Sequence, residues 1–383
     1  MTTARTAQRT RTLLSVNGFH PVRVGSLETF ARNLSMELGA RGWRHVICYA
    51  SPPHEPVRRF LSLPNVEFAA VPGVFCRQWR PVLAMARLLR RCRPEIVHMQ
   101  LTGMVSCYPW LAKWYGARRV FFTDQASRPE GFPLQPAPLW HRALGHALGY
   151  PLDRVTCISD YVLRCCHSQQ ILPAGRFLRI YNSVDVRYGA TDGAAFRRRH
   201  GIPADCPVVA QIAAMIPDKG FDDLLAAARV VAARHPTVHF VMGGSGPHLE
   251  RYRDLTASFG LSGRITWTGQ VEEPLAGGFF AAADILCQVS RWEEGFGLSI
   301  AEGMAAGKPF VATRAGAIPE LVRDGHTGFL VERRAPEELA ARILQLLDDP
   351  DLRRRMGEAG KQRAAQEFSQ QTSVPEFLKL FGV

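Results

Sequence analysis

"ADILCQVSRWEEGFGLSIAEGMAAGKPFVAT", Ala283 to Thr313, decides the fold. An apolar run, "ADILCQVS", gives way to a glycine-rich turn, "EGFG"; a helical pattern follows, and "KPFVATRAG" begins a second strand-like run. Strand, helix and strand in that order make a βαβ unit with parallel strands. Two carboxylates, Glu294 and Glu302, stand eight residues apart across the turn. "LSIAEGMAAG" is apolar at nearly every other position, so Glu302 falls on a helix with little solvent face and needs a polar partner. A ligand hydroxyl would supply one.

The same scheme extends in both directions. Upstream lie "RTLLSVN", "HVICYA", "VEFAAV", "EIVHMQ", "RVFFTD", "RVTCISD" and "FLRIYNS"; "SLETFARNLSMELGARG" between the first two repeats Leu27, Phe30, Leu34 and Leu38 at helical spacing. The second half adds "CPVVAQIAA", "TVHFVMGG", "RITWTG" and "TGFLV" to the two runs quoted first. Near-continuous apolar strands separated by helices imply parallel sheets covered on both faces, so the fold class is α/β with two doubly wound Rossmann-like domains facing a cleft. The expected division is 1–183, 184–366 and a C-terminal helix over 367–383 packing back on the first domain, with the link near Asn182 to Gly193. Pro375 in "SVPEFLKLFGV" suits the start of that last helix.

Composition limits the functional classes. The 383 residues, 46% apolar and 21% charged, suit a folded protein of two domains. No run of 18 apolar residues exists, and the N-terminal "MTTARTAQRTRTLLSVNGF" has too short an apolar run for a signal peptide, so a cytoplasmic protein is expected. Nine cysteines without C-x-x-C spacing read as reduced, mostly buried thiols, the adjacent Cys165 and Cys166 as helix packing. The twelve histidines show no metal-ligand spacing, and no metal or other cofactor is expected. Through Ile180 the chain carries 24 Lys and Arg against nine Asp and Glu, a net +15; the remainder carries 23 against 25. That asymmetry points to an anionic partner for the first half, but no RNA or DNA motif accompanies it, so nucleic acid is not expected.

Ligands of open α/β sheets bind beyond the carboxyl ends of strands. Three glycine turns lie there: Gly25 with Ser26, "GGSGP" from Gly243, and "EGFG" from Glu294. Each puts amides at a helix start, where a phosphate can be received, and each is equally an ordinary tight turn.

The stretch "SRWEEGFGLSIAEGMAAGKPFVATRAGAIPELVRDGHTGFLV", Ser290 to Val331, resembles the signature of the family 4 glycosyltransferases, retaining enzymes of the GT-B fold with a Glu-x7-Glu motif. "RPEIVHMQ", "TCISDYV", "IYNSVD", "IPDKG", "GGSGP" and "WTGQV" fit the same family in order, so the resemblance spans almost the whole chain. It implies a nucleotide-sugar donor in the second domain and an acceptor in the first. Glu294 would contact the donor sugar, the amides of Gly295, Phe296 and Gly297 the sugar and phosphate, and Glu302 the ribose; Gly25, Ser26, Gly244, Val271 and Leu298 complete the implied donor site. Lys219 would neutralise the leaving diphosphate, a part played without metal.

The chain departs from the family's pattern in three places. Ala214 stands where the family often has an arginine partnering the lysine, Ser26 where the first loop often has a second glycine, and Gln125 where a histidine often lies near the donor sugar. Gln125 can hydrogen-bond a hydroxyl but cannot titrate. A sugar-nucleotide epimerase of the same architecture, or a weakly active homologue serving as a binding module, remain alternatives. "CRQWRPVLAMARLLRRCRP", Cys76 to Pro94, suggests the anionic partner: Trp79, Leu83, Met85, Leu88 and Leu89 beside Arg77, Arg80, Arg87, Arg90, Arg91 and Arg93 read either as an interfacial helix on an anionic membrane or as a Rossmann helix with a solvated basic rim. On the first reading the enzyme is peripheral, and its acceptor a lipid-linked, phosphate-bearing glycan precursor at the inner face of the plasma membrane.

Overall fold

A computed structural model describes residues 11–74, 79–186 and 191–383. The first sheet holds β1 (Thr12–Asn17), β2 (Arg44–Tyr49), β3 (Val66–Ala70), β4 (Ile96–Gln100), β5 (Arg119–Asp124), β6 (Arg154–Cys157) and β7 (Phe177–Arg179), in the order β3-β2-β1-β4-β5-β6-β7. The second holds β8 (Val208–Ile212), β9 (His239–Gly243), β10 (Ile265–Gly269), β11 (Ile285–Gln288), β12 (Phe310–Thr313) and β13 (Gly328–Val331), in the order β10-β9-β8-β11-β12-β13. Each of the thirteen runs read from the sequence is a strand, and every ladder is parallel. Strand order reverses between β1 and β4 and again between β8 and β11, so each lobe has a switch point where loops diverge and leave a crevice.

Buried strands must satisfy their polar side chains internally. In the first sheet His45 lies between the hydroxyls of Ser15 and Ser35, at 2.8 and 2.7 Å, and His98 meets Thr123 Oγ1 at 2.7 Å. Burial holds both imidazoles neutral, lowering His45 to about 3 and His98 to about 4.

Two helices share one face of that sheet. The helix Ser26–Ala40 starts at Gly25, whose N–H donates to the Glu28 carboxylate at 2.9 Å, and buries Leu34 and Leu38. Beside it the last helix, Gln370–Phe381, inserts Val374, Phe377, Leu378 and Phe381 among Leu13, Ile96, Phe121 and Ile180. The chain reaches it through a short bridge, in which the Val184 N–H donates to the Phe368 carbonyl at 2.8 Å and the Gln370 N–H to the Val184 carbonyl at 3.1 Å. Pro375 does not open this helix, contrary to the sequence reading. Ser369 caps it, its Oγ accepting from the Gln371 N–H, and Pro375 sits inside, where its ring nitrogen gives up one ladder bond.

The arginine-rich helix also departs from the interfacial reading. Helix Trp79–Cys92 turns Met85, Leu88, Leu89 and Cys92 into the core; Trp79 and Leu83 remain outside with Arg80, Arg87, Arg90 and Arg91. It is a sheet-covering helix with a basic rim, because the following strand β4 needs that apolar face. Cys76 and Arg77 of the quoted stretch lie outside the described residues, as do 187–190 of the link. Among the described residues, no helix is long and apolar enough to cross a membrane.

Candidate active site

Lys219 and Glu294 meet at the second switch point. After β8 the chain makes a single tight turn, Pro217–Lys219, and then Gly220 at φ 65°, where a Cβ would stand 1.8 Å from the Val289 carbonyl oxygen. Only glycine lets the turn lie this close to the end of β11. Gln211 locks it, donating to the Lys219 carbonyl and accepting from the Val289 N–H, both at 2.9 Å. So held, Lys219 Nζ lies 2.5 Å from Glu294 Oε1. Glu294 is 6% exposed, and the hydroxyl of Ser127, from the other lobe, reaches its Oε2 at 3.4 Å. The neighbouring Glu293 has a different task. It exchanges backbone bonds with Arg128 across the lobes, at 2.9 and 3.0 Å, while its carboxylate receives the Gly316 N–H and the Arg333 guanidinium, each at 2.6 Å.

A pocket of about 280 Å³ opens among the loops that follow β8, β9 and β11, and Gln288 links it to this pair by donating to Glu294 Oε1 at 3.4 Å and accepting from the wall residue Ser299 at 2.9 Å. Its walls include Gly25, Ser26, Gly244, Val271, Leu298 and Glu302, so six of the donor-site residues implied by resemblance converge on one space. Glu302 projects from the helix Leu298–Ala305, and the Ser26 hydroxyl donates to its Oε1 at 2.5 Å. Burial raises the Glu302 pKa, while that hydroxyl and the charge of Arg23 oppose the shift. The polar partner that the sequence demanded is thus a serine of the opposite lobe.

Several implied contacts are already engaged within the protein. The N–H of Gly25 is held by Glu28, that of Gly244 by the Gly269 carbonyl at 2.8 Å, and that of Gly295 by Ser127 Oγ at 3.1 Å. The Phe296 side chain is buried, its ring 5.5 Å from Phe368 and 5.9 Å from Tyr181. Gly297, at φ 104°, turns the chain into the helix, whose first N–H groups at Leu298 and Ser299 have no intrahelical acceptor by geometry. Gln125 sits in a chain of carboxamides. Its Nε2 donates to Gln100 Oε1 at 3.1 Å, and Asn182 Nδ2 donates to its Oε1 at 2.7 Å. Gln100 in turn donates to Asn17 at 2.6 Å, so the chain crosses the carboxyl end of the first sheet.

Arg23, Ser127 and Asn182 were missed as site residues in the sequence. Arg23 lines the same pocket as Ala214 and donates to the Val271 carbonyl across the cleft at 3.0 Å. Its signal was position, two residues before the Gly25 turn. Ser127 lies just beyond the strand run "RVFFTD", and Asn182 within "IYNSVD", which was read for the family resemblance and the link but not for the site. Among the described residues no group of three His, Cys, Asp or Glu is placed to hold a metal ion.

Comparison with known proteins bears on this geometry. Residues 27–188 match the family described as Glycosyltransferase Family 4, and residues 192–363 match Glycosyl transferases group 1. A GDP-mannose-dependent monoacylated alpha-(1-6)-phosphatidylinositol monomannoside mannosyltransferase of Corynebacterium glutamicum is 26% identical over 374 residues, 94% of each chain. A GDP-mannose-dependent alpha-(1-6)-phosphatidylinositol monomannoside mannosyltransferase of Mycolicibacterium smegmatis is 27% identical over 386 residues, 97% of this chain and 98% of its own. In fold, a Rickettsia africae glycosyltransferase superposes with TM-score 0.80 at 19% identity, covering 97% of this chain and 98% of its own. An Anabaena protein solved in complex with UDP superposes with TM-score 0.77 at 18% identity, over 97% and 99%. Two doubly wound lobes facing a cleft, and two family matches that together run from residue 27 to 363, lead to one assignment: the chain belongs to the family 4 glycosyltransferases and has their GT-B fold.

Proposed function

We propose that the protein is a retaining hexosyltransferase that moves a sugar from a nucleoside-diphosphate donor to a hydroxyl of a lipid-linked, phosphate-bearing glycan precursor. The observation that carries this reading is the Lys219–Glu294 pair, joined through Gln288 to Ser299 in the wall of the 280 Å³ pocket. A hexose over Glu294 offers hydroxyls to a carboxylate, and the diphosphate then falls between Lys219 and the first amides of the helix Leu298–Ala305. Negative charge grows on the leaving phosphate, which Lys219 and those amides stabilise without a metal. The same phosphate takes the acceptor proton, so Gln125 needs only to orient hydroxyls. Glu302 with Ser26 holds the ribose. The boundary at 183/184 divides an acceptor lobe from a donor lobe, with 367–383 returning to the first.

The acceptor class draws on two supports. The similar mannosyltransferases are named for a phosphatidylinositol acceptor, and the first half of this chain carries the net +15. An enzyme acting peripherally on the cytoplasmic face of an anionic membrane accounts for both.

Donor class is tested by thermal shift against a panel of UDP- and GDP-sugars, since a bound donor stabilises the fold by mass action. The reaction is tested with the donor so found and lipid-linked acceptors. Free nucleotide released only when acceptor is present is the expected result. Isomerised donor without acceptor would identify an epimerase, and donor binding without turnover on any acceptor would identify a binding module.

A further inference from the structure

The helix Leu139–Gly149 is inverted relative to an ordinary surface helix. Its inner face is glycine: a Cβ on Gly145 would stand 2.2 Å from Ile171 Cγ2, and one on Gly149 2.7 Å from Leu172 Cδ2. The backbone therefore rests directly on residues 171 and 172. Its outer face shows Trp140, Ala143, Leu144 and Ala147, one stripe at helical spacing, with Leu139 beside them. Leu139 is 78% exposed and Trp140 69%. A helix packed only for water buries its large apolar residues and shows charge outside, the reverse of what stands here.

The neighbouring helix Tyr108–Trp114 continues the patch. Trp114 is 85% exposed; Trp110 donates its indole N–H to the Ala147 carbonyl at 2.7 Å and stacks on the exposed Tyr150, ring centroids 6.1 Å apart. Seven of the twelve large hydrophobics exposed among the described residues fall between 110 and 150, on the two contacting helices Tyr108–Trp114 and Leu139–Gly149 and the segments flanking the second. From Gly131 to Leu152 the sequence has no Asp or Glu, while Arg142, His141 and His146 lie within the helix.

We propose that this face, centred on helix Leu139–Gly149, is a membrane-docking surface that seats the first lobe on an anionic bilayer. Exposed Trp and Tyr suit the headgroup level, where an apolar ring and a polar edge are both accommodated. The run free of carboxylates and the basic lobe behind it complement anionic lipid. This places docking on a different element from the arginine-rich helix Trp79–Cys92, whose apolar side is spent in the core. The segment leads out of the loop in which Ser127 and Arg128 touch Glu294 and Glu293, and Gln169 ties it down by donating to the Gln135 carbonyl at 3.0 Å. A lipid-borne acceptor therefore enters from the docked side; that clause rests on the proposed active site, whereas docking does not.

The full chain is sedimented with phosphatidylcholine vesicles, with and without phosphatidylglycerol, beside the variant Leu139→Ser/Trp140→Ser/Leu144→Ser. Wild type pelleting with the anionic vesicles, a roughly tenfold lower partition for the variant, and quenching of wild-type tryptophan by brominated lipid are expected. Equal partition of the two proteins, or no binding by wild type, overturns the proposal. So does a concentration-dependent dimer that dissolves in the variant without vesicle binding, which would assign the face to a second copy. The substituted side chains are exposed and the thermal midpoint reports folding; should the triple variant unfold, Trp140→Ser alone, read by brominated-lipid quenching, decides. Donor binding is read separately by thermal shift, so its failure in wild type would remove the active-site reading and leave docking standing.

Discussion

Lys219 and Glu294 divide a charge between two loops, and in the absence of donor each is the other's partner. On the proposed reading, donor replaces that contact with sugar hydroxyls on one side and phosphate on the other. Glu294→Gln and Lys219→Ala are each expected to lower kcat by roughly 100-fold to 1,000-fold with unchanged thermal midpoints; near-wild-type rates in both would remove them from the chemistry. Arg23 offers a sharper comparison. It enters the pocket from the first lobe and lines it together with Ala214 of the second, so the pocket that lacks a guanidinium at 214 receives one from the facing lobe. Arg23→Ala should weaken donor affinity roughly tenfold, and Ala214→Arg should recover most of that loss in the Arg23→Ala background while changing the wild type little. Calorimetric titration with the donor checks both, and additive effects of the two changes would show that they serve different ligand groups.

At the scale of elements, the strands were legible because β-branched runs bounded by glycine turns leave few alternatives. Helix faces were less so. Helix Trp79–Cys92 has the same apolar periodicity whether it covers a sheet or lies on lipid, and only the sheet's position separates the two readings. Gln125 and Asn182 are 57 residues apart, and nothing local couples them; β5 and β7 bring their carboxamides together. The last helix carries a prediction of its own. His98 packs against Phe377 and Phe381, at 5.6 and 5.4 Å, and its pKa is lowered to about 4. A depressed histidine leaves stability intact above the unfolded value of 6.5 and removes it as pH falls toward the folded one. Each such histidine costs about 1.4 kcal/mol per pH unit across that window. His98→Gln should flatten this limb, seen as a smaller drop in urea midpoint between about pH 6.5 and pH 4.5. Parallel acid limbs in variant and wild type would refute the assignment.

The whole molecule is closed by cross-lobe contacts of three kinds, between side chains (Ser26 and Glu302), between backbones (Arg128 and Glu293), and between the backbone of one lobe and a side chain of the other. Glu320 shows the last of these. Its carboxylate accepts from the N–H groups of Asp160 and Tyr161, at 2.8 and 2.6 Å, capping a first-lobe helix from the second lobe, and burial raises its pKa. Glu320→Ala should open the lobes in solution, raising the radius of gyration by small-angle scattering, and donor should reverse the change by stitching the cleft shut again; an unaltered radius would show that the cap does not govern closure. What happens during opening depends on the bridge between Val184 and Phe368–Gln370. Since the polypeptide passes from lobe to lobe twice, side by side and hydrogen-bonded, the two bodies are joined by paired straps instead of a single thread. Paired straps resist twisting more than swinging, so an opening of the kind that Glu320→Ala tests is expected to follow one arc and to return Ser26 to Glu302 and Arg23 to Val271 in the same register. A turnover cycle that must release a spent nucleotide and take up a fresh one can then repeat without searching for its own alignment.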